Sequence, residues 1–528
     1  MNVFSALLAA AVFAGAVAPG ALADPVILYR GNIAEPDTLD PQKYSLAYEA
    51  EIMRDLFEGL TALDAQAEIV PGAAERWTIS DDGLVFTFFL RDGLQWSDGT
   101  PLTAEDFAAG IRRALDPATA AQYANLAYKI RNAEAVNKGA LPLSDLGVRA
   151  LDDKTVEITL EKPSPIILRI LAVPLLFPVP RHVIETEGDN WVRAGTIVSN
   201  GPFTLADWRP NDYVRIVKNP RFHAADSVKL DEVYFYPTDD DAAALKRFRA
   251  GEIDLNMRFS PGDYEWLKAN MPESAHIMPS SWFSYLVLNS EKPPFGDVRV
   301  RRALAMAIDR EALTGRILKT GEVPAWSFVP TSITGYEGAS FDFRGKPFSE
   351  LQAEARRLLA EAGFDEANPL RFKFNHRAGT ANKRVAVALA DMWAQIGVKA
   401  DLVATEVKTH YSLLREHDFE VADAGWSSPP DPEYFIYLLL TASTETNYGS
   451  YSNPRYDAMA AEAEIILDTP TRYAAYKAVE QVGLDDAAMI PLFFNVSRNL
   501  VAPYVKGFEP NVEDNHPSRW ITLERAGQ

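Results

Sequence analysis

Histidine, cysteine and paired carboxylates are the residue types that most often carry catalysis or bind metals, and this chain offers little of that chemistry. Only two of its seven histidines, His410 and His417, are close in sequence, and their spacing matches no common metal motif. The chain contains no H-E-x-x-H, G-x-S-x-G, Walker A or G-x-G-x-x-G pattern. It has no cysteine, which excludes disulfides, thiolate metal sites, a cysteine nucleophile and a lipid-modified N-terminal cysteine. We therefore predict no catalytic residue, no metal site and no cofactor.

Two runs of charged residues have simple structural interpretations. The acidic run Asp239-Asp240-Asp241 precedes a predicted helix over 242–248, where acidic groups suit the positive end of the helix dipole. Arg299, Arg301 and Arg302 are expected to form a solvated helix face. No spacing among the 73 acidic residues indicates a catalytic pair.

Strands and helices alternate in the segments that would position any site. Val85–Leu90 predicts a strand, and the pairs Asp92-Gly93 and Asp98-Gly99 after it predict turns. Thr103 is placed to cap a helix whose first turn, Ala104-Glu105-Asp106, is acidic. The segment therefore predicts a strand, two turns and a helix.

Similar patterns occur along the rest of the chain. Strands are predicted at 156–160, 214–217 and 233–236. Helix starts are predicted at Asp297, at the capping box Ser349-Glu350-Leu351-Gln352, whose helix should end near Gly363, and at Asn453-Pro454. This mixture predicts α/β or α+β lobes and not a repeat array.

Length, composition and charge restrict the class of protein. The 528 residues predict about three domains at roughly 150 residues each. The net charge of −21 argues against a nucleic-acid partner, which requires a basic surface. Residues 1–23 resemble a secretory signal, with Ala21-Leu22-Ala23 as a small-x-small cleavage site. The best later candidate for a membrane span, Ile166–Pro180, is too short and carries Arg169. We therefore expect a free periplasmic or secreted protein.

Several short motifs recur in a fixed order from one end of the chain to the other. They are Thr38-Leu39-Asp40-Pro41, 54–60 (RDLFEGL), 71–77 (PGAAERW), 91–107 (RDGLQWSDGTPLTAEDF), Asn200-Gly201-Pro202-Phe203, Asp207-Trp208, 249–254 (RAGEID), Lys292-Pro293-Pro294-Phe295, 297–301 (DVRVR) and Ala424-Gly425-Trp426. Together they resemble the extracellular solute-binding proteins of family 5, the periplasmic oligopeptide- and dipeptide-binding proteins of ABC importers.

The resemblance implies an α/β fold of the type II periplasmic-binding-protein kind, with two main lobes, a hinge and an extra α+β lobe. The three discontinuous lobes would be 24–58 with 181–280 and 496–528 (lobe I), 59–180 (the extra lobe II), and 281–495 (lobe III). The ligand would lie between lobes I and III, which close about the hinge. The implied partners are a peptide or peptide-like ligand and an ABC permease of the inner membrane, and the protein is expected to be a monomer.

The resemblance also implies where the ligand would be bound. The positions carried over are Ser45, Leu46 and Ala47 on one wall, Tyr123 on an aromatic wall, and Ser284, Tyr285, Trp426, Ser427, Phe493 and Phe494 opposite. An extended peptide would add to these walls like a strand.

The chain departs from the peptide-binding pattern at the group that should hold the peptide's α-ammonium. Relatives place an aspartate three residues after the tryptophan, where this chain has Pro429. A glutamate position of the relatives falls on Val287, and a tryptophan position falls on Val407. Loss of one partner of a buried charge pair costs about 3–5 kcal/mol, or about two to four orders of magnitude in affinity. We therefore expect Asp423 to substitute as the acid, although an ideal strand would point Asp423 and Trp426 to opposite faces.

Several functions remain open from the sequence. The ligand could be a peptide or peptide-like solute, or an opine or other amino-acid conjugate, an oligosaccharide or an organic cation. A cation would need acids with aromatic rings, whereas a sugar would need neutral polar groups. A secreted hydrolase, and a peptide-sensing or scaffold protein without an importer, are the alternatives from other classes.

Overall fold

The computed structural model describes residues 24–525, so the expected signal segment, 1–23, lies outside the described residues. The strands are β1 Ile27–Gly31, β2 Thr61–Leu63, β3 Ile69–Pro71, β4 Ala74–Ile79, β5 Val85–Leu90, β6 Val148–Asp152, β7 Thr155–Thr159, β8 Phe203–Arg209, β9 Tyr213–Lys218, β10 Glu232–Tyr236, β11 Leu255–Asn256, β12 Ala275–Leu288, β13 Val323–Pro324, β14 Arg371–Arg377, β15 Lys399–Thr405, β16 Val421–Trp426, β17 Met489–Val501, β18 Val505–Lys506 and β19 Thr522–Leu523.

Helices occur between most of these strands. They are α1 Ala47–Leu56, α2 Ala104–Leu115, α3 Ala133–Asn137, α4 Ile167–Ile170, α5 Arg181–Glu187, α6 Asp241–Arg249, α7 Tyr264–Asn270, α8 Val298–Met306, α9 Arg310–Ala312, α10 Phe348–Glu361, α11 Thr380–Ala394, α12 Val407–Arg415, α13 Glu433–Ile436, α14 Pro454–Glu464 and α15 Thr469–Asp485. No helix within residues 24–525 is long and apolar enough to cross a membrane.

The main sheet has eleven strands and mixes parallel with antiparallel pairs. Its order is β15-β14-β16-β12-β17-β11-β1-β10-β9-β8, and β13 pairs with β17 off this path. β1 is parallel to both of its neighbours, β10 and β11, and β14 is parallel to β15 and β16. The fold is therefore α/β with crossover connections, as predicted.

Two long strands, β12 and β17, carry this sheet from one hydrophobic core to another. The first core contains buried residues between 28 and 278 together with 500–521, and the second contains buried residues between 283 and 494. We call these the larger unit and the smaller unit. The register of β12 against β17 breaks between Pro279 and Phe283, so the ladder is interrupted where the chain passes between the units. A second register shift follows between Ser284 and Tyr285.

The larger unit contains a separate four-stranded antiparallel sheet, β4-β5-β7-β6, against which α2 packs. The predicted strand Val85–Leu90 is β5. Helix α2 begins after Thr103, and the Asp106 carboxylate accepts the backbone N–H of Thr103 at 2.8 Å. Phe107 and Ile111 of α2 are fully buried, as their spacing requires.

Local capping signals were good predictors of helix starts. Asp240, Asp297 and Asn453 each accept backbone N–H groups at the first turn of α6, α8 and α14. The capping box expected at Ser349 is wrong, because α10 begins at Phe348 after Pro347.

The expectation that Arg301 is solvated is also wrong. Its side chain is buried and donates hydrogen bonds to the carbonyl oxygens of Phe295, Gly296 and Asp486 at 2.9–3.0 Å. Phe295 and Gly296 precede the start of α8, and Asp486 lies on a distant segment. The helical spacing of the arginines therefore did not reveal these acceptors.

Candidate functional site

One wall of the candidate site lies at the start of α1 in the larger unit. Leu46 and Ala47 are exposed, and the Glu49 carboxylate fixes the turn by accepting the backbone N–H groups of Ser45 and Leu46 at 2.8 and 3.1 Å. The Tyr123 hydroxyl donates to the Ser45 carbonyl oxygen at 2.6 Å. The structure therefore brings Tyr123 next to the three consecutive site residues predicted at 45–47.

An open cavity of about 300 Å³ borders this wall. Its lining includes Ala47 and Tyr123 with Tyr44, whose ring centroid is 5.2 Å from that of Tyr123. Burial raises the pKa of Tyr44 to about 12, so its hydroxyl stays protonated and can donate a hydrogen bond.

The opposite predicted residues lie on neighbouring strands of the smaller unit. Trp426 of β16 pairs with Phe283 of β12 and is half-buried, and Ser427, just past the strand end, is exposed. Ser284 is buried, and its hydroxyl accepts a hydrogen bond from the Asn495 side-chain amide at 3.2 Å. Trp426 and Ser427 thus form the accessible part of this wall.

The remaining predicted aromatic residues of this wall are part of the core. Tyr285 is only 2% exposed and stacks on Phe283, with ring centroids 4.7 Å apart. Phe493 and Phe494 of β17 are buried in the same core. These side chains support the wall from behind in the present conformation.

Asp423, expected from the sequence to be the ammonium clamp, is paired with an arginine in the structure. One carboxylate oxygen accepts the backbone N–H of Arg377 at 2.8 Å, and the other accepts Nε of the same arginine at 3.0 Å. His410 Nε2 is 3.3 Å from the first oxygen. Asp423 is buried and both of its oxygens are occupied, so it does not offer a free carboxylate to a ligand.

The next acid along the chain is engaged in the same way. Asp431 is buried, and both of its oxygens contact the guanidinium of Arg472 from α15. Both carboxylates that flank Trp426 in sequence therefore have an arginine partner.

No metal centre competes with this interpretation of the site. Residues 24–525 contain no group of three or more histidine, cysteine, aspartate or glutamate side chains that could hold a metal ion. Burial lowers the pKa of His410, whose Nε2 lies 2.7 Å from the Asp423 carbonyl oxygen, so this histidine is neutral near pH 7.

Comparison with known protein families identifies the family to which the chain belongs. The family model of the bacterial extracellular solute-binding proteins, family 5 Middle, matches residues 68–447. The chain belongs to this family. The resemblance stated from the short motifs is thereby confirmed.

Two curated family 5 proteins of Escherichia coli K12 cover nearly the whole chain. The probable deoxycholate-binding periplasmic protein YgiS is 38% identical over 490 residues, which are 92% of this chain and 91% of YgiS. The periplasmic oligopeptide-binding protein OppA is 35% identical over 514 residues, which are 96% of this chain and 94% of OppA. Both relatives are named as periplasmic binding proteins.

Two solved structures of the family 5 protein MppA indicate the conformation. The unliganded open form of this murein tripeptide-binding protein gives a TM-score of 0.89 at 33% identity, covering 96% of this chain and 99% of MppA. Another structure, of Escherichia coli MppA, covers the same shares of both chains at 34% identity but gives a TM-score of only 0.75. Sequence identity is almost the same in both, so the higher TM-score shows that the present structure is more similar to the unliganded open form.

A second cavity, of about 580 Å³, lies where the two units of this family 5 protein meet. Its lining includes Pro279 at the break in β12, Pro430 in the loop after Trp426, and Asn511. The first cavity borders Glu513 and Asp514, and the second borders Val512, so one short segment separates them.

Sequence reasoning missed two residues of the smaller unit that lie beside Gly425, the neighbour of Trp426. Trp282 is 45% exposed, although it lies between buried neighbours in β12. Arg377 closes the end of β14 over Gly425. The sequence signal for this position was a tryptophan out of phase with Phe283 and Tyr285, which alternate along one face of the strand. Trp282 therefore belongs to the opposite face, where a large aromatic side chain is exposed.

Proposed function

We propose that the chain is the periplasmic substrate-binding component of an ABC importer and that it captures a peptide or peptide-like solute between two closing lobes. Family membership and the near full-length similarity to OppA support this role. The single observation that carries it is the match to the open form of MppA, because a hinged binding protein must have an open state that a ligand can close.

In this proposal the three lobes have the boundaries expected from the sequence, and the hinge is the break in β12 and β17. Ser45, Leu46, Ala47 and Tyr123 form the wall of lobe I, and Trp426 and Ser427 form the rim of lobe III. The inner-membrane permease recognises the closed form, and the binding protein acts as a monomer in the periplasm.

A second candidate is the same transport role with a non-peptide ligand, an amphipathic organic acid. Two observations favour it: the 38% identity to the probable deoxycholate-binding YgiS, and the engagement of Asp423 and Asp431 by arginines. Without a free acid beside Trp426, a peptide lacks the ammonium partner that relatives provide.

The test is native mass spectrometry of protein purified from its own periplasm, followed by denaturation and identification of what is released. A mixture of short peptides supports the first candidate, and a single amphipathic acid supports the second. Small-angle scattering with and without the recovered solute should show the radius of gyration falling when it binds. Protein that releases nothing and stays open with every peptide and organic acid tested would contradict the binding role.

A further inference from the structure

Two lysines of the larger unit form ion pairs with two glutamates of the smaller unit. Lys129 Nζ lies 2.5 Å from a carboxylate oxygen of Glu433, the first residue of α13, and 3.1 Å from one of Glu464, the last residue of α14. Lys162 Nζ lies 3.2 Å from the other oxygen of Glu464. We call these four residues the inter-unit bridge. None of them belongs to β12 or β17, the two strands that connect the units.

The inter-unit bridge is anchored in the interior of the smaller unit. The second carboxylate oxygen of Glu433 lies 3.4 Å from Nη1 of Arg472, whose buried guanidinium also holds Asp431. Tyr434, the next residue along α13, packs against the hydrophobic cores of both units. A movement of α13 relative to the larger unit would therefore disturb polar and apolar contacts together.

Partial burial makes these ion pairs stronger than ordinary surface pairs. The side chains of Lys129, Glu433 and Glu464 are 25%, 14% and 23% exposed, whereas Lys162 remains 62% exposed. Charges shielded from water attract each other more strongly, because the effective dielectric constant around them is lower. Lys129 contacts both glutamates, so it supplies most of the attraction between the units at this place.

Ion pairs between two units are sensitive to a rotation of one unit relative to the other. A rotation about the connecting strands displaces an atom in proportion to its distance from the axis, and an N–O distance that grows by more than about 1 Å no longer gives a hydrogen bond. Rotating domains and subunits exchange their interface salt bridges in this way. The present structure is more similar to the unliganded open form of MppA, so the inter-unit bridge belongs to the open arrangement.

We propose that the inter-unit bridge is an electrostatic latch that stabilises the open form and is released when the two units close. A contact made only in the open form shifts the equilibrium toward that form, and a solute must supply the difference through its own contacts in the closed form. The latch therefore keeps the empty protein open. This inference rests on the proposed function only for the closing movement itself.

Single-molecule fluorescence energy transfer measures the open and closed forms without any ligand. The chain has no cysteine, so Lys43→Cys and Ser427→Cys, both at exposed positions on the two opposite walls, accept one dye each. Closing brings these walls together and shortens the distance between the dyes. Surface ion pairs each contribute a factor of up to about five to an equilibrium, so Lys129→Gln combined with Lys162→Gln should raise the ratio of closed to open molecules at least about fivefold.

The sign of this shift separates the latch from general effects of charge. Removing positive charges from a chain of net charge −21 increases its overall repulsion, which by itself favours the open form. The matched control Lys138→Gln removes a lysine whose partner at 2.6 Å, Glu134, lies in the same unit, and it should leave the ratio within twofold. A ratio within twofold of the wild type in the double variant, or a shift toward the open form, would overturn the proposal.

Two further measurements keep the test independent of how well the double variant folds. Glu464→Gln alone removes a partner of both lysines and should shift the equilibrium in the same direction. Raising KCl from about 50 mM to about 1 M should favour closing in the wild type more than in Glu464→Gln, because salt screens the pairs that the variant lacks. Equal salt responses would contradict the latch. If these variants stay as open as the wild type but a solute recovered by mass spectrometry closes them all, the latch is wrong and the binding role stands.

Discussion

Replacing Glu480 with glutamine should destabilise the smaller unit by about 2–4 kcal/mol. Glu480 of α15 is fully buried, and its carboxylate accepts four hydrogen bonds. The donors are the backbone N–H groups of Phe328 (3.0 Å), Val329 (2.8 Å) and Ala339 (2.9 Å) and the hydroxyl of Tyr336 (2.7 Å). This one side chain therefore attaches a long loop without regular structure to the helix.

The magnitude follows from counting donors and acceptors. Glutamine offers one acceptor oxygen and one NH₂ group, so if the oxygen stays with Phe328 and Val329, the NH₂ faces the N–H of Ala339. Leaving that buried N–H unsatisfied costs about 1–3 kcal/mol. The remaining hydrogen bonds lose their charge assistance, which makes such bonds about twice as strong as neutral ones.

Urea unfolding followed by tryptophan fluorescence measures this loss, with the transition of the smaller unit fitted separately because two cores need not unfold together. Amide hydrogen exchange should accelerate at Val329 and Ala339. The matched control is Glu462→Gln, the same change on the exposed surface of α14. The reasoning is refuted if Glu480→Gln unfolds within about 0.5 kcal/mol of that control, the range expected for surface substitutions.

Two further predictions concern the buried carboxylate of Asp55 in the larger unit and the space around two helical glycines. Burial raises the pKa of Asp55 from 3.8 to about 6, so the folded state binds the proton more tightly and loses about 3 kcal/mol of stability as pH rises from about 3 to 7. Asp55→Asn should lack this decline in urea unfolding at the two pH values, and parallel pH profiles would contradict the assignment. Gly110→Ala should destabilise the protein by more than about 2 kcal/mol despite the better helix propensity of alanine, because the added methyl would stand 2.2 Å from the Phe177 carbonyl oxygen. Gly315→Ala meets no atom within 4 Å and should raise the midpoint of thermal unfolding slightly, so equal effects of the two changes would refute the packing argument.

The parts of the fold that depend on neighbouring residues were predictable from the sequence. Asp240, Asp297 and Asn453 cap helices because a short polar side chain reaches the N–H groups two or three residues later, whatever the rest of the chain does. Ser349 shows the limit of such local patterns, because the helix could start equally well one residue earlier and does so.

The sequence predicted surface positions for part of the candidate site but not the pairing of its charged groups. The family resemblance placed Trp426 and Ala47 on opposite walls, and the structure leaves Ala47 exposed and Trp426 half-buried. The partner of Asp423 is 46 residues away on another strand, and that pairing depends on the register of β14 against β16. Short sequence patterns do not encode the register between two strands. The pairing of the Asp423 carboxylate with Arg377 therefore could not be predicted from the sequence.

The path of the chain through the main sheet also determines when the protein can fold. β1, near the start of the chain, has β10 and β11 as its neighbours, and β11 pairs with Leu500 and Val501 of β17. The buried guanidinium of Arg30 pairs with Glu51, but two of its acceptors lie near the other end of the chain, the His516 carbonyl oxygen and the Ser518 hydroxyl.

A growing chain that stops before residue 500 therefore has an open sheet edge and a buried cation without those acceptors. Contacts of such long sequence separation make folding slow, because their loop-closure entropy is lost before the contacts form. The larger unit must wait for its last segment to be synthesised, whereas the smaller unit is one continuous stretch of chain. A prematurely terminated chain can therefore fold its smaller unit but not its larger unit. The unfolded larger unit then stays accessible to proteases.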